Sequence, residues 1–586
     1  MQNSHRRIAI VVSLALGLLS VPYLALSFSP SQSLQALALN AYGTTTPTAG
    51  TATPTAGTAT STPVKTSTPV PATSTPVPGA TRVASIPFVP SSNGYQFVNW
   101  GIDAQSSKDF VLADLRLMFG DASVCRSTTS TVCRIRYAAK HWLADVNDDM
   151  SAGHSDGFTT TALRYFKGTD SVATLQAGAT TVHDLLFANA RRNISYFWAL
   201  QEPIQGASAR AAALKKTPSQ VVALVKTALV SATVNLATSD LTTLLVYNTD
   251  RTSGHSLLPY AIDELGLGSF KIYVYDSNFP DDTARFVAVN TVANTWSYDL
   301  GTTATPRVWS GTATSENFGA IPVSVYAQKP TAPWQTGEKT SHFRLYGHGH
   351  LLLTNKAGQF IGYAKKVFGN TITGAFIAPP AGGLDVYSEP NYYVPTDEYK
   401  IGLDGQNLNA GLAQTAQVVD VSQVGPDFAV GLSNLSLNAT SADSATVSAD
   451  GTSVAYTANQ TRSVDLSLAY DGATTSAEIQ VVGADVNAAG PFTALATPIS
   501  GTVALAAAAD GEYNLSISVL TATGGEVIFV NNGIKILAGA TQTLDYSKLA
   551  TGGYTVTLTN KAKDGTITTI ILQNQATQTF LPLSFK

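Results

Sequence analysis

The chain has 586 residues, a formal net charge of −4 and only 13% charged residues. That length suits two to four domains. With no basic surface, composition excludes a nucleic-acid partner. Abundant Thr, Ser, Ala and Gly favour an extracellular, β-rich protein over a cytosolic helical enzyme.

In chain order, residues 1–38 carry a targeting signature. His5, Arg6 and Arg7 form a positive start, and Ile8 to Leu26 an apolar core broken by Pro22, with small residues offering cleavage after Ser27 or Ala38. The apolar run is also nearly long enough for an uncleaved membrane anchor, so signal peptide and anchor both stay open. Residues 39–84 read as a linker. From Thr44 to Thr81 they repeat Thr-Pro-Thr-Ala-Gly-Thr-Ala and Ser-Thr-Pro-Val, too poor in large apolar groups to offset the entropy of ordering. The two cysteines, Cys125 and Cys133, are expected to form a disulfide in an exported chain, worth about 2–3 kcal/mol.

Between residues 85 and 310, helical spacing appears at Lys108–Phe119, Arg136–Asn147, Gly157–Lys167, His183–Trp198 and Ser219–Ala232. Short strands follow at Leu241–Tyr247, Ser256–Ile262, Lys271–Tyr275 and Arg285–Asn290. Helices first and antiparallel strands after predict an α+β domain. Residues 311–415 show strands only and predict a β appendage. Residues 416–586 alternate Thr, Ala and Val and predict one or two sandwich-like all-β modules.

The most chemical stretch is Gly153-His154-Ser155-Asp156-Gly157, read with Gly254-His255 and Tyr275-Asp276-Ser277-Asn278. A nucleophile needs a neighbouring base, and the base a group that fixes its tautomer. If Ser256–Ile262 and Lys271–Tyr275 pair about a turn at Asp263–Ser269, His255 lies beside Asp276 or Ser277 on one face, at about 5 Å. Ser155 falls at the start of a helix, where Ser155 or Asp156 would cap it and free N–H groups favour an anion. The Gly-x-Ser-x-Gly spacing is not a hydrolase elbow, because Asp145-Val146-Asn147-Asp148-Asp149-Met150 precedes it instead of a buried strand. His154 is left without a role.

These segments, together with Met118-Phe119-Gly120, Tyr196–Gln201, Gly254–Ala261 and Asn294–Tyr298, resemble a bacterial family of exported papain-like, cysteine-peptidase-type domains. The signature of that family is roughly Gly-His-Cys-x-Gly-Met followed by a helix. The resemblance spans residues 95–300 and reaches about 405; the C-terminal modules lie outside it. It implies a papain-like fold with His255 as base and Asp276 as orienting residue. Ser155 stands in place of the nucleophilic cysteine and Phe158 in place of the methionine. A serine hydroxyl cannot form the resting thiolate–imidazolium pair. Papain-like sites also hold the oxyanion with a glutamine shortly before the nucleophile; six positions before Ser155 stands Asp149, whose charge would repel it. Gln201 is too remote in sequence to take the role.

Two other clusters carry competing readings. Asp145, Asn147, Asp149, Ser151 and Asp156 fall at positions 1, 3, 5, 7 and 12 of a calcium loop, but Met150 stands where glycine is needed and Asp156 where a bidentate Glu is, so a solvated acidic turn is the plainer account. His342, His348 and His350 could place two ligands on a strand face, with exposed strand histidines the plainer account. The expectation is therefore an exported surface protein with a degenerate papain-like domain that is binding or structural, its partners extracellular peptide, protein or cell-wall components. The alternative is a hydrolase or acyltransferase with Ser155 attacking, His255 as base and Asp276 orienting. Neither calls for a cofactor, and a membrane enters only through an uncleaved N-terminal anchor.

Overall fold

The computed structural model describes residues 79–575 apart from 102, 104–108, 127–131, 303, 365–366, 384–388, 406–416, 473–474 and 522–524. The expected signal segment or anchor, and the linker up to residue 78, lie outside the described residues.

Strands hold 42% of the chain and helices 22%, arranged around three large antiparallel sheets of eight, eleven and nine strands. This corrects the expected fold class: the chain is mostly β, and a small helical papain-like α+β domain is not what it forms. The misreading has a local cause. Helical spacing dominates residues 112–234, whereas the flanking strands Thr81–Ser85, Val308–Thr312 and Phe318–Pro322 are five residues each and give little periodic signal.

The first sheet runs Val308–Thr312, Thr295–Asp299, Phe286–Asn290, Ser269–Tyr275, Gly254–Gly266, Thr242–Tyr247, Phe318–Pro322, with Thr81–Ser85 also pairing on Gly254–Gly266. The expected hairpin is present but longer. Ile262 opposes Ile272 and Gly266 opposes Ser269, so the turn shrinks to Leu267 and Gly268, both at positive φ. Helices cover this sheet. The helix Pro218–Val234 starts on a capping box between Thr217 and Gln220 and buries Val221, Val222, Val225 and Leu229 against it. The helix Ser155–Phe166 packs between the strand Gly254–Gly266 and the helix Phe187–Ala199, and Gly157 permits the close approach: a methyl group there would lie 2.1 Å from the Ile194 carbonyl oxygen.

The other two sheets face each other across one aliphatic core that includes Leu353, Ile401, Leu432, Leu466, Ile479, Val503, Leu505, Ile517 and Leu544. Strands on either side of residue 415 share these sheets. Thr340–Tyr346 pairs with Gln417–Gly425, and Tyr399–Asp404 pairs with Ala442–Val447.

The helix Tyr137–Asp149 joins the helical region to this sandwich. Its first amides, on Tyr137 and Ala138, donate to the Asp471 carboxylate at 3.2 and 2.9 Å. One turn on, Lys140 and His141 each meet Glu478 at 2.9 Å. At its far end Arg344 bonds Asp145 and Asp149. An anion at the N-terminus and a cation at the C-terminus both suit the helix dipole. Cys125 and Cys133 are joined as expected, with Cα atoms 5.2 Å apart.

Candidate functional site

The helix Ser155–Phe166 begins where Gly153, at φ 127°, turns the chain out of the preceding short helix. Ser155 is the first helical residue and caps nothing, which corrects the N-cap reading; His154 holds the cap position without a side-chain capping bond, its Nδ1 lying 3.0 Å from the Trp100 carbonyl oxygen. The free amides of Ser155 and Asp156 instead donate to the carbonyl oxygens of Gly382 at 3.1 Å and Ala381 at 3.3 Å. The Ser155 hydroxyl accepts from the Ser256 amide at 3.0 Å and donates to the Ala381 carbonyl at 3.2 Å. Its proton is therefore directed at backbone and not at an imidazole.

His255 and Asp276 meet as the hairpin suggested. The imidazole Nε2 lies 2.7 Å from the Asp276 carboxylate, which also accepts from the Tyr298 hydroxyl at 2.5 Å and the Asn278 amide at 2.8 Å. Burial raises the Asp276 carboxyl, but His255, Tyr298 and Asn278 together outweigh it and hold the group below the ordinary carboxylate range. The carboxylate accepts the Nε2 proton, and Nδ1 lies on the far side of the ring; that atom is buried and has no hydrogen-bond partner. Ser155, His255 and Asp276 are all fully buried. The structure thus brings the three segments together, with Ser155 joined to the residue after His255.

Asn99 is the residue that local sequence reasoning missed. Its side-chain amide donates to the Gly382 carbonyl oxygen at 3.0 Å, beside the Ser155 amide at 3.1 Å. The His154 amide, donating to Asn99 Oδ1 at 2.7 Å, fixes which way the side chain points. Two N–H donors converging on one carbonyl oxygen form the arrangement of an oxyanion hole. No periodic signal marks Asn99; only its place in the aromatic run Tyr95–Trp100 hints at a structured coil. Asp149 bonds Arg344 and Asn391 rather than this pair. Burial first, then Glu202, raises Asp149 to about 8 against the opposing Arg344. Gln201 does reach the site, accepting the Ala381 amide at 2.9 Å while Arg210 holds its side-chain oxygen.

His154 stacks on Trp100 with ring centroids 4.0 Å apart, and burial lowers it to about 3, so it is neutral. The acidic stretch is part of a buried helix, which corrects the solvated-turn reading and gives the residues of the calcium alternative other partners. Asp145, Asn147 and Asp149 are helical; the two carboxylates face Arg344, Asp145 also accepts from Ser422, and Asn147 bonds the Phe110 backbone. Ser151 lies in the short helix Met150–Ala152, and Asp156 accepts from the Tyr326 hydroxyl at 2.8 Å. Among the described residues no group of three or more His, Cys, Asp or Glu is placed to hold a metal ion. His342 is buried against Tyr393 rather than exposed, while His350 bonds Glu389 at 2.7 Å and stacks on Tyr363; His348 and His350 lie outside any strand.

Residues 497–573 match the family described as Secretion system C-terminal sorting domain. They comprise the strands from Thr502–Ala507 to Ile567–Gln573 and continue both sheets of the sandwich. No curated protein and no solved structure matches the chain. The sorting domain makes this an extracellular protein, secreted or attached to the cell surface.

Proposed function

We propose that this exported protein uses the cradle around Ser155 to hold an extended peptide without turning it over. One observation carries the reading: a peptide carbonyl, that of Gly382, already sits between the Ser155 amide and the Asn99 side chain, while the serine proton is bonded to backbone. The parts of an acyl-transfer site are assembled, but the hydroxyl is not delivered to the base. A serine needs that delivery, because its proton must leave during attack. The C-terminal sorting domain would route the protein through a type IX secretion system, placing the cradle among extracellular peptides and cell-wall components.

The second reading, a serine hydrolase or acyltransferase, is favoured by the open Nδ1 of His255 opposite the Asp276 bond. A fluorophosphonate probe separates the two. Labelling is run on the full chain, on Gly383→Val, whose added side chain collides with the Ala152 carbonyl and uncovers Ser155, and on each with Ser155→Ala. No Ser155-dependent labelling is expected in either background. Labelling that vanishes with Ser155→Ala would establish the enzyme.

A further inference from the structure

The occupant of the cradle is part of this chain. Pro379-Pro380-Ala381-Gly382-Gly383 follows the strand Phe376–Ala378, is buried throughout and lies outside any strand. Its carbonyls at Pro379, Ala381 and Gly382 and its Ala381 amide are nonetheless bonded, and the partners are side chains and amides of the site. Tyr247 donates its hydroxyl to the Pro379 carbonyl at 2.9 Å. Gln201 accepts the Ala381 amide, and the Ala381 carbonyl receives Ser155 Oγ, the Trp198 indole N–H at 3.2 Å and the Asp156 amide. Asn99 and the Ser155 amide hold Gly382. Recognition through main-chain groups is how clefts grip extended peptides.

Glycines on both sides make the fit possible. A methyl group at Gly153 would lie 2.4 Å from the Gly382 oxygen, and one at Gly254 would lie 2.7 Å from the Pro380 oxygen. On the segment, a methyl at Gly382 would lie 2.7 Å from the Gly153 oxygen and one at Gly383 only 1.9 Å from the Ala152 oxygen. All of these are backbone atoms, which cannot swing aside. The walls therefore admit backbone alone at two successive positions. The glycines of Gly153-His154 and Gly254-His255 serve this seat as much as they serve the neighbouring histidines.

We propose that Pro379–Gly383 is an internal competitor seated in a peptide cleft, and that the cleft's external ligand is a peptide with two consecutive glycines after a small residue. The inference rests on the peptide-holding reading above and names its substrate class. A tethered competitor acts at an effective concentration in the millimolar range for a short connection, so it suppresses external binding strongly. Release of the segment opens the cleft, and only chains lacking side chains at those two positions can replace it.

The test measures fluorescence anisotropy of a labelled Pro-Pro-Ala-Gly-Gly peptide and its Pro-Pro-Ala-Val-Val analogue with the full chain and with Gly383→Val. The released chain is expected to bind the glycine peptide about 100-fold more tightly than the unaltered chain. It is also expected to bind the valine analogue at least about ten-fold more weakly than the glycine peptide. Should Gly383→Val fail to fold, Gly382→Ala, whose methyl group meets the Gly153 carbonyl oxygen at 2.7 Å, alters the segment and not the cleft and gives a milder release for the same two peptides. Equal binding of the glycine peptide by unaltered and released chains overturns the internal competitor. Equal binding of both peptides overturns glycine selection and leaves the peptide-holding reading in place. Binding of neither peptide by a folded, released chain sinks the peptide-holding reading itself.

Discussion

The helical region that bears the site and the sandwich that follows it bury different things. Around the site and its hairpin, Asp109, His154, Asp156, Arg191, Glu202, Arg210, His255, Asp263 and Asp276 are buried, and His154, Asp156, Glu202, Arg210 and His255 each keep one polar atom without a hydrogen-bond partner. The sandwich is filled by Val, Leu and Ile, and three of its buried charges, Arg344, Asp471 and Glu478, face the helix Tyr137–Asp149. The sandwich is stabilised by apolar burial, which does not depend on pH. The site region and its joint depend on charge placement, which does. A region that seats the Pro379–Gly383 backbone needs fixed polar groups and accepts the desolvation they cost; an aliphatic core has no such need.

The largest expected contrast pits Glu478→Gln against Leu505→Ala. Removing one partner of a buried ion pair costs about 3–5 kcal/mol, because Lys140 is left uncompensated. Burial raises the Glu478 carboxyl, but Lys140 and His141 outweigh it and depress the group well below its ordinary value. Its contribution is therefore present above the unfolded carboxylate pKa and is lost as pH falls through the acid range. Leu505 is fully buried in the aliphatic core, and its truncation costs about 2–5 kcal/mol at any pH. Denaturant unfolding at pH 7 and pH 4 should show the Glu478→Gln penalty shrinking and the Leu505→Ala penalty unchanged. Parallel pH profiles would erase the distinction between the two regions.

A smaller effect is expected from the disulfide, which closes a short loop of sequence separation 8. Cys125→Ala with Cys133→Ala should cost about 2–3 kcal/mol through loop-closure entropy. The loss should appear as a lower Tm and be matched by adding reductant to the unaltered protein. A reductant effect on the double variant would show that the entropic account is wrong.

What could be read from sequence was what is local. The helices near 137–149, 155–166 and 218–234, the hairpin that joins His255 to Asp276, and the cysteine pair all rest on contacts between near neighbours or on strong periodicity. The helix Ile204–Leu214 was missed because Gln-Gly-Ala-Ser-Ala-Arg-Ala-Ala-Ala offers little apolar contrast. Asn99 and Ala381-Gly382 converge on Ser155 from 56 and over 220 positions away, and neither carries a pattern of its own. The acids at 145 and 149 read as a solvated turn, or alternatively a cation loop, because their partner, Arg344, lies almost 200 residues on. The fold class failed for the same reason: strand order across 586 residues is a long-range property, and the strands on either side of residue 415 share sheets.

The smallest effect is expected at the sandwich's last edge. The strand Ile567–Gln573 pairs only with Thr555–Lys561 among the described residues, and Ile567, Ile570 and Ile571 are 64%, 53% and 60% exposed. Adjacent residues on a strand face opposite ways, so exposure of both Ile570 and Ile571 means that neither face is covered there by the described residues. Ile570→Lys removes little buried surface and should change stability by no more than about 0.5 kcal/mol. An apolar edge is, however, a template for strand pairing between copies, and a lysine blunts it. Sedimentation should show concentration-dependent association of the unaltered chain that Ile570→Lys reduces, while Val556→Ala, fully buried one strand inward, lowers stability and leaves association unchanged. A stability loss for Ile570→Lys as large as that for Val556→Ala would mean that the edge is packed like the interior, and the contrast between a functional region and a plain scaffold would then have to be drawn elsewhere in the sandwich.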